Sequence, residues 1–379
     1  AVTGTPFCDL KTMTKKNKFV RMANLLLVPA IAITFSYSAS AQTKDGGIST
    51  EMLQMIVKHQ LNTASDVALF NAMAGNNIDN LAKSFASNAD LDTHFSVETD
   101  AQSIHDQKSS GRCWMFSGFN VLRSNFAKRT DSLRVEFSHA YLFFYDQLEK
   151  ANLFLQGVVD TGKLPIDDPK VQFFFKNPIA DGGTFCGVAD LTEKYGLVPM
   201  SVMPETYSAE NTSKMRSLLM SKLREQGLRL RDMVALGKSK KQIGDEKTEM
   251  LGVVYHMLTL MLGNPPQNFS YAFKNKDGVT VGTPHNYTPQ EFYREVVGNS
   301  LNGTFIMVMN DPRHEYHKTY EVEYDRHTYD GHNWVYLNLP MEEIAGLAIA
   351  SLKDGHKMYS SYDVGKQLDR KKGLLALDN

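Results

Sequence analysis

Cysteine is scarce in this chain. Three occur in 379 residues, at positions 8, 113 and 186, which is too few for a disulfide framework and an odd number for pairing within one chain. Tryptophan occurs twice, and neither sign of charge prevails: 41 Lys and Arg against 42 Asp and Glu leave a formal net charge of −1. That balance gives no global attraction toward nucleic acid or another polyanion. Neither Cys-x-x-Cys nor His-Glu-x-x-His spacing is present, so no metal site and no cofactor are expected. The apolar run from Ala23 to Phe35, broken by Asn24, Pro29 and Thr34, is too short to span a bilayer. What the chain does have is 42% hydrophobic residues, 10% aromatics and considerable length. Those suffice for a sizeable core in two or three lobes or in one elaborated domain.

The short apolar run has a specific context. Lys15, Lys16, Lys18 and Arg21 precede it, and Ser38-Ala39-Ser40-Ala41 follows it. Basic, apolar, then A-x-A is the pattern of a secretory signal cleaved after Ala41, so residues 1–41 are read as a signal with upstream residues and the product as exported, periplasmic or secreted. A signal begins at a methionine, and Met13 would place residues 1–12, Cys8 included, upstream of the natural product. The mature chain then carries Cys113 and Cys186, and a required free thiol must survive an oxidising compartment. Residues 42–90 are expected to form a helical extension, from patterns such as Met52, Leu53, Ile56 and Val57, with a small polar loop at Asn71 to Asn76. Nothing in them suggests chemistry.

The chemistry is concentrated in Gln107-Lys108-Ser109-Ser110-Gly111-Arg112-Cys113-Trp114-Met115-Phe116-Ser117. Met115, Phe119, Leu122 and Phe126 recur at intervals of three and four, which predicts a helix with one buried stripe. Cys113 stands at its start, where unpaired N–H groups and the positive end of the dipole favour a thiolate. Gln107 supplies a neutral donor for the oxygen that turns negative when a thiolate attacks a carbonyl. His105 is close in sequence, but a nucleophile's base has to be brought across the thiol by the fold, so it is not taken as the partner. Ser138 reads as the N-cap of a helix in which Tyr141, Phe143, Phe144 and Tyr145 are packing residues. In Asn177 to Phe185 the pair Gly182 and Gly183 permits close approach of a substrate backbone. The alternative is an ordinary turn before a helix capped by Thr184 and ended by Gly196, with Cys186 as a small core residue.

Residues 209–265 read as a helical insertion, with one stripe at Met215, Leu218, Leu219 and Leu223 and another at Leu251, Val254, Tyr255, Leu258 and Met261. The basic cluster Lys238-Ser239-Lys240-Lys241 between them is followed at once by Asp245, Glu246 and Glu249, so it is read as a solvated connection and not as a nucleic-acid site. From residue 266 the period shifts toward two. Strands are expected at Ser270–Phe273, Asp277–Val281, Thr304–Met309 and Thr319–Tyr324, with Asp277-Gly278 as a hairpin turn and a helix starting near Thr288. The fold class is therefore α+β: residues 91–208 form a helical lobe carrying the nucleophile and residues 266–379 a β-rich lobe.

The stretch from Gln107 to Ser117 resembles the nucleophile segment of papain-like cysteine peptidases. Ser138-His139-Ala140-Tyr141-Leu142-Phe143-Phe144-Tyr145-Asp146 and Leu148-Glu149-Lys150-Ala151-Asn152 narrow the resemblance to bleomycin hydrolase and the bacterial aminopeptidase C relatives. Pro204 to Ser208, Asn310 to Arg313 and Gly331 to Pro340 are similar as well. The resemblance implies a cysteine-type aminopeptidase acting on peptides through an acyl-enzyme. Cys113 would be the nucleophile, Gln107 and the Cys113 N–H the oxyanion donors, and Gly182 and Gly183 the backbone lining the cleft. It also implies a homo-oligomer, a hexamer, and some bleomycin hydrolases bind nucleic acid. The family base is a histidine on a late strand, oriented by an asparagine. Candidates here are His314, His317, His327, His332 and His356, but His332 and Asn333 are adjacent and so point to opposite faces of a strand. Ala350 to His356 and Asp363 to Lys366 resemble the stretch before the family histidine, whose His-Ala and Asn-Ser-Trp-Gly texts are not found by Asn379. The expectation is a form with an incomplete β lobe and an open sheet edge, inactive as it stands. The alternatives are a catalytically dead homologue acting as a binding or scaffold protein, or recruitment of a histidine such as His356.

Overall fold

The computed structural model describes residues 46–60, 63–84, 94–100, 103–130, 133–298, 300–365 and 367–376. The expected signal segment and Cys8 lie outside these residues. The chain divides into two units, residues 1–83 and 84–379. In the first, α1 (Thr50–Ile56) is capped by Ser49 and α3 (Ile78–Leu81) by Asn77. Between them α2 (Ala64–Gly75) opens on a reciprocal Thr63–Asp66 capping box and runs through the stretch expected to be a loop. A well-capped start and the strong helix formers Ala72, Met73 and Ala74 outweigh the polar character of Asn71; the helix ends only at Gly75 and Asn76.

The second unit begins with α4 (Cys113–Thr130), β1 (Leu133–Arg134) and α5 (His139–Asp160), followed by α6 (Pro169–Lys176), α7 (Phe185–Tyr195) and α8 (Tyr207–Glu210). The predicted α4 stripe is buried throughout: Met115, Phe119, Leu122 and Phe126 are 0–3% exposed. Gly118 lets α7 approach, because a Cβ there would lie 2.7 Å from a Val188 methyl. Ser138 caps α5 by accepting from Tyr141 N at 3.0 Å, and Tyr141, Phe143 and Phe144 are core residues. Helix α5 also packs on α9 (Thr212–Ala235) and α10 (Lys240–Leu262), which form the expected insertion. Met215, Leu219 and Leu223 turn inward there, while Leu218 is exposed. The basic cluster lies at their junction, where Ser239 and Gln242 form a capping box and Lys241 pairs with Asp245 at 2.6 Å.

The remainder is α+β with short strands: β2 (Phe269–Tyr271), β3 (Lys274–Asn275), β4 (His285–Tyr287), α11 (Pro289–Val296), β5 (Val308–Met309), β6 (Lys318–Val322), β7 (Trp334–Asn338), α12 (Met341–Lys353), β8 (Leu368–Asp369) and β9 (Leu374–Leu375). The hairpin at Asp277-Gly278 is present, closed by Val281 N donating to Phe273 O at 2.8 Å. Strand β5 is far shorter than the expected Thr304–Met309, since Thr304 N and hydroxyl turn back to Leu301 O and Ser300 O. It pairs in parallel with β7, whose other edge holds β6 antiparallel. Strand β6 stops at Val322, shortly before Tyr324 adopts φ +63°. Strand β1 pairs with β3, tying the helical half to the β half.

Candidate active site

Cys113 is the first residue of α4. The Arg112 carbonyl accepts from Met115 N at 2.9 Å and Phe116 N at 3.1 Å, so the Cys113 N–H is one of the first-turn donors that a helix leaves unpaired. Its thiol is exposed while both neighbours are buried. Those neighbours fix it. Arg112 is 0% exposed, lies 2.7 Å from the Glu205 carboxylate and sits 5.2 Å over the rings of Phe116 and Phe143. Trp114 Nε1 donates to the Asp181 carbonyl at 2.9 Å. The Asp181 carboxylate in turn accepts from Gly111 N at 2.7 Å and from the Thr212 hydroxyl, and lies 3.2 Å from Arg216. Burial pushes the Asp181 carboxyl up, but Thr212, Gly111 and Arg216 together hold it below the usual range. Position 111 has to be glycine, because a Cβ would come within 2.7 Å of the carboxylate.

Gln107 occupies the turn before the nucleophile. Its side-chain Nε2 donates to Ser110 O, and Ser110 Oγ returns a bond to Gln107 O at 2.6 Å. One of the two amide protons is thus spent on the turn, and the second has no partner among the described residues. The left-handed backbone of Lys108, φ +55°, closes the turn.

The Gly182–Gly183 segment lies beside Trp114. At Gly182 a Cβ would meet open space, whereas at Gly183 it would fall 2.1 Å from the His327 ring and 3.1 Å from Trp114. Thr184 stands at the N-cap of α7 and Gly196 ends the helix, as in the alternative reading, but the Thr184 side chain gives no cap bond. Its hydroxyl lies 2.9 Å from Cys186 Sγ. Burial pushes the half-buried Cys186 thiol up to about 11, with the Asp190 and Asp325 carboxylates acting in the same direction against Thr184. Tyr359, which the sequence did not single out, is raised to about 12, first by burial and then by the charges of both thiols. The Tyr359 ring lies 5.6 Å from that of Phe185. Beside it Phe185, Cys186, Phe305, His332, Trp334 and Tyr336 line part of a groove of about 400 Å³.

Six histidines are committed elsewhere. His105 pairs with Glu136 at 2.9 Å and contacts Arg123 at 3.1 Å. His139 stacks on Phe116 at 3.7 Å. His332 pairs with Asp190 at 2.7 Å, while Asn333 donates to Glu321. His314 pairs with Asp311, and His317 with Glu343. His356 lies 3.0 Å from Asp354 and 3.2 Å from Lys128, and Lys128 is in the last turn of the helix that Cys113 begins. Among the described residues no histidine hydrogen-bonds the Cys113 thiol, and no group of three His, Cys, Asp or Glu side chains is placed to hold a metal.

With this geometry in hand, the sequence profile of the peptidase C1-like family matches residues 47–379. The chain belongs to that family. It is 38% identical over 307 residues to aminopeptidase C of Lactobacillus delbrueckii subsp. lactis, covering 80% of this chain and 68% of the relative. It is 39% identical over 289 residues to human bleomycin hydrolase, covering 73% and 62%. The crystal structure of pepw from Lactobacillus rhamnosis superposes with a TM-score of 0.75 at 33% identity, covering 85% of this chain and 74% of the other. The fold is thus that of a papain-like peptidase, and the chain spans about two thirds of the length of these curated relatives. Within this family fold, Cys113 and Gln107 stand out in the sequence as candidates because they share one local motif. Asp181 lay inside a segment read for its glycines alone, and the contacts of Asp146 with His327 bridge 181 positions that no local pattern connects.

Proposed function

We propose that this chain carries the nucleophile half of a thiol aminopeptidase. The observation that carries the proposal is the exposed Cys113 at the first position of α4, held between a buried Arg112 and a Trp114 tied to the Gly182 segment. In the proposed step the Cys113 thiolate forms a bond to the carbonyl carbon of the N-terminal residue, and the carbonyl π pair moves to oxygen. The Cys113 N–H and the second amide proton of Gln107 receive that oxyanion. Collapse expels the new amine, which takes up a proton, and water then releases the thioester as an acid. Gly182 offers its backbone to the substrate. In this reading Cys113 is the nucleophile and Gln107 with the Cys113 N–H the oxyanion donors; the proton carrier is not among the histidines placed above. A peptide is the substrate class, and aminopeptidase specificity is carried by the relatives' names.

The test is site-resolved mass spectrometry after brief exposure to iodoacetamide and to aminoacyl chloromethyl ketones. Cys113 should be modified at least about tenfold faster than Cys186 near neutral pH, because a largely buried thiol beside two carboxylates, with a raised pKa, is slow to ionise. The aminoacyl reagent with a free amine should outpace its N-blocked form. Equal labelling of both cysteines would overturn the assignment of the nucleophile. Labelling of Cys113 by iodoacetamide with no advantage for the aminoacyl reagent would favour a binding protein on a peptidase fold, a reading supported by the absence of a described histidine at the thiol.

A further inference from the structure

Behind the Gly182–Gly183 segment lies a buried polar cluster that the proposed chemistry does not use. Asp146 and Lys150 project from α5, and His327 reaches them from the loop before β7; their exposures are 0%, 8% and 2%. Asp146 Oδ1 meets His327 Nδ1 at 2.6 Å, and Oδ2 accepts from Lys150 Nζ at 3.0 Å and Gln147 Nε2 at 2.9 Å. A carboxylate only accepts, so the His327 proton resides on Nδ1 and Nε2 presents its lone pair. Thr184 N–H points at that lone pair from 3.4 Å. Burial and the Lys150 charge hold His327 below its ordinary value against Asp146, in keeping with a neutral ring. The remaining Lys150 protons go to Ala180 O at 3.0 Å and Gly182 O at 2.7 Å. The ring itself lies 4.5 Å from Trp114, in a slot where a Cβ on Gly183 or Gly187 would strike it at 2.1 or 2.3 Å.

Apart from the Gln147 amide, which bonds both Asp146 and Ala180 O, the polar contacts of this cluster with its surroundings fall on the backbone of residues 180–184. A merely filled core would need no charge here, and three charged or ionisable groups are costly to bury unless each has a partner. We propose that His327 is a positioning residue: together with Asp146 and Lys150 it clamps the backbone of residues 180–184, setting the Gly182–Gly183 segment against Trp114 and hence against the nucleophile. The ring has both nitrogens engaged and does not serve as the base. This inference rests on the reading of Cys113 as nucleophile and of Gly182–Gly183 as cleft wall.

The test compares the wild-type chain with His327→Asn and His327→Gln. Asparagine keeps a donor near Asp146 but cannot reach Thr184; the glutamine oxygen reaches the position of Nε2 and accepts from Thr184 N–H. The readout is the ratio of Cys113 labelling rates by a dipeptidyl chloromethyl ketone and by iodoacetamide, since only the first needs the segment in register. His327→Asn should lower that ratio about tenfold while leaving the iodoacetamide rate nearly unchanged, the scale of one lost hydrogen bond at the site. His327→Gln should restore most of it. An unchanged ratio in His327→Asn, or equal damage in both variants, overturns the proposal. A wild-type chain with no dipeptidyl preference instead sinks the cleft reading, and the clamp is then decided by ring ¹⁵N resonances of the wild-type chain, a measurement that also stands if a variant fails to fold. A neutral His327 protonated on Nδ1 supports the clamp, and an Nε2–H tautomer or a charged ring overturns it.

Discussion

At the scale of single residues, the position of Cys113 depends on atoms that carry no chemistry themselves. Gly111 has no side chain, yet its N–H and its missing Cβ decide where the Asp181 carboxylate sits, and the Asp181 carbonyl decides where Trp114 sits. Gly111→Ala should therefore cost about 1–3 kcal/mol, the range for forcing an extra methyl into a packed site. It should also slow aminoacyl labelling of Cys113 more than iodoacetamide labelling. Urea midpoints with an unchanged slope check the first part, and a midpoint equal to wild type would refute it. Sequence alone offered Cys113, Gln107 and the glycine pair as candidates because each stands in a recognisable local text. It did not expose Asp181, Glu205 or Tyr359, since a carboxylate or phenol acquires its role only from what the fold sets beside it.

Elements were legible where their ends carry hydrogen-bonding side chains, and misread where side chains had other partners. Thr288 forms a reciprocal capping box, and α11 starts there as the sequence predicted; Ser239 and Thr63 form the same box at α10 and α2, whose starts the sequence did not single out. Thr184 has the same residue type in the same position, but Cys186 takes its hydroxyl. Ser239→Ala should thus cost about 1 kcal/mol, whereas Thr184→Ala should cost little at the helix and act on Cys186, whose labelling should slow relative to wild type because the Thr184 hydroxyl holds that thiol's pKa down. Thermal melts of the two variants beside cysteine mapping separate the effects; equal melting losses would contradict the different roles. Period-two patterning overstated β5, because Thr304 and Phe305 turn back to Leu301 O before the strand begins.

For the whole molecule, two buried histidines set the response to acid. Burial first, then the charges of Arg112, His105 and Arg123, hold His139 well below its ordinary value, and His327 is also lowered. Below about pH 6.5 the unfolded chain binds protons at these positions that the native chain refuses. Their contribution is therefore fully present above that pH and is lost as pH falls, with a slope of up to about 1.4 kcal/mol per pH unit for each histidine. His139 Nδ1 has no hydrogen-bond partner and the ring stacks on Phe116, so His139→Phe should fold and show a shallower fall in melting temperature between about pH 6.5 and 5. A slope identical to wild type would show that His139 is not buried neutral.

The span between the two sides of the cluster behind Gly183 also sets an order in time. Thr184 and the ring that accepts its N–H are 143 positions apart, so at roughly 5–20 residues per second a ribosome delivers His327 about 7–30 seconds after Thr184. The helix that bears the reactive thiol is thus made, and free to fold, well before the residue that steadies its neighbouring segment exists. The growing chain passes through an interval in which Cys113 is already present but the wall opposite it is not yet braced.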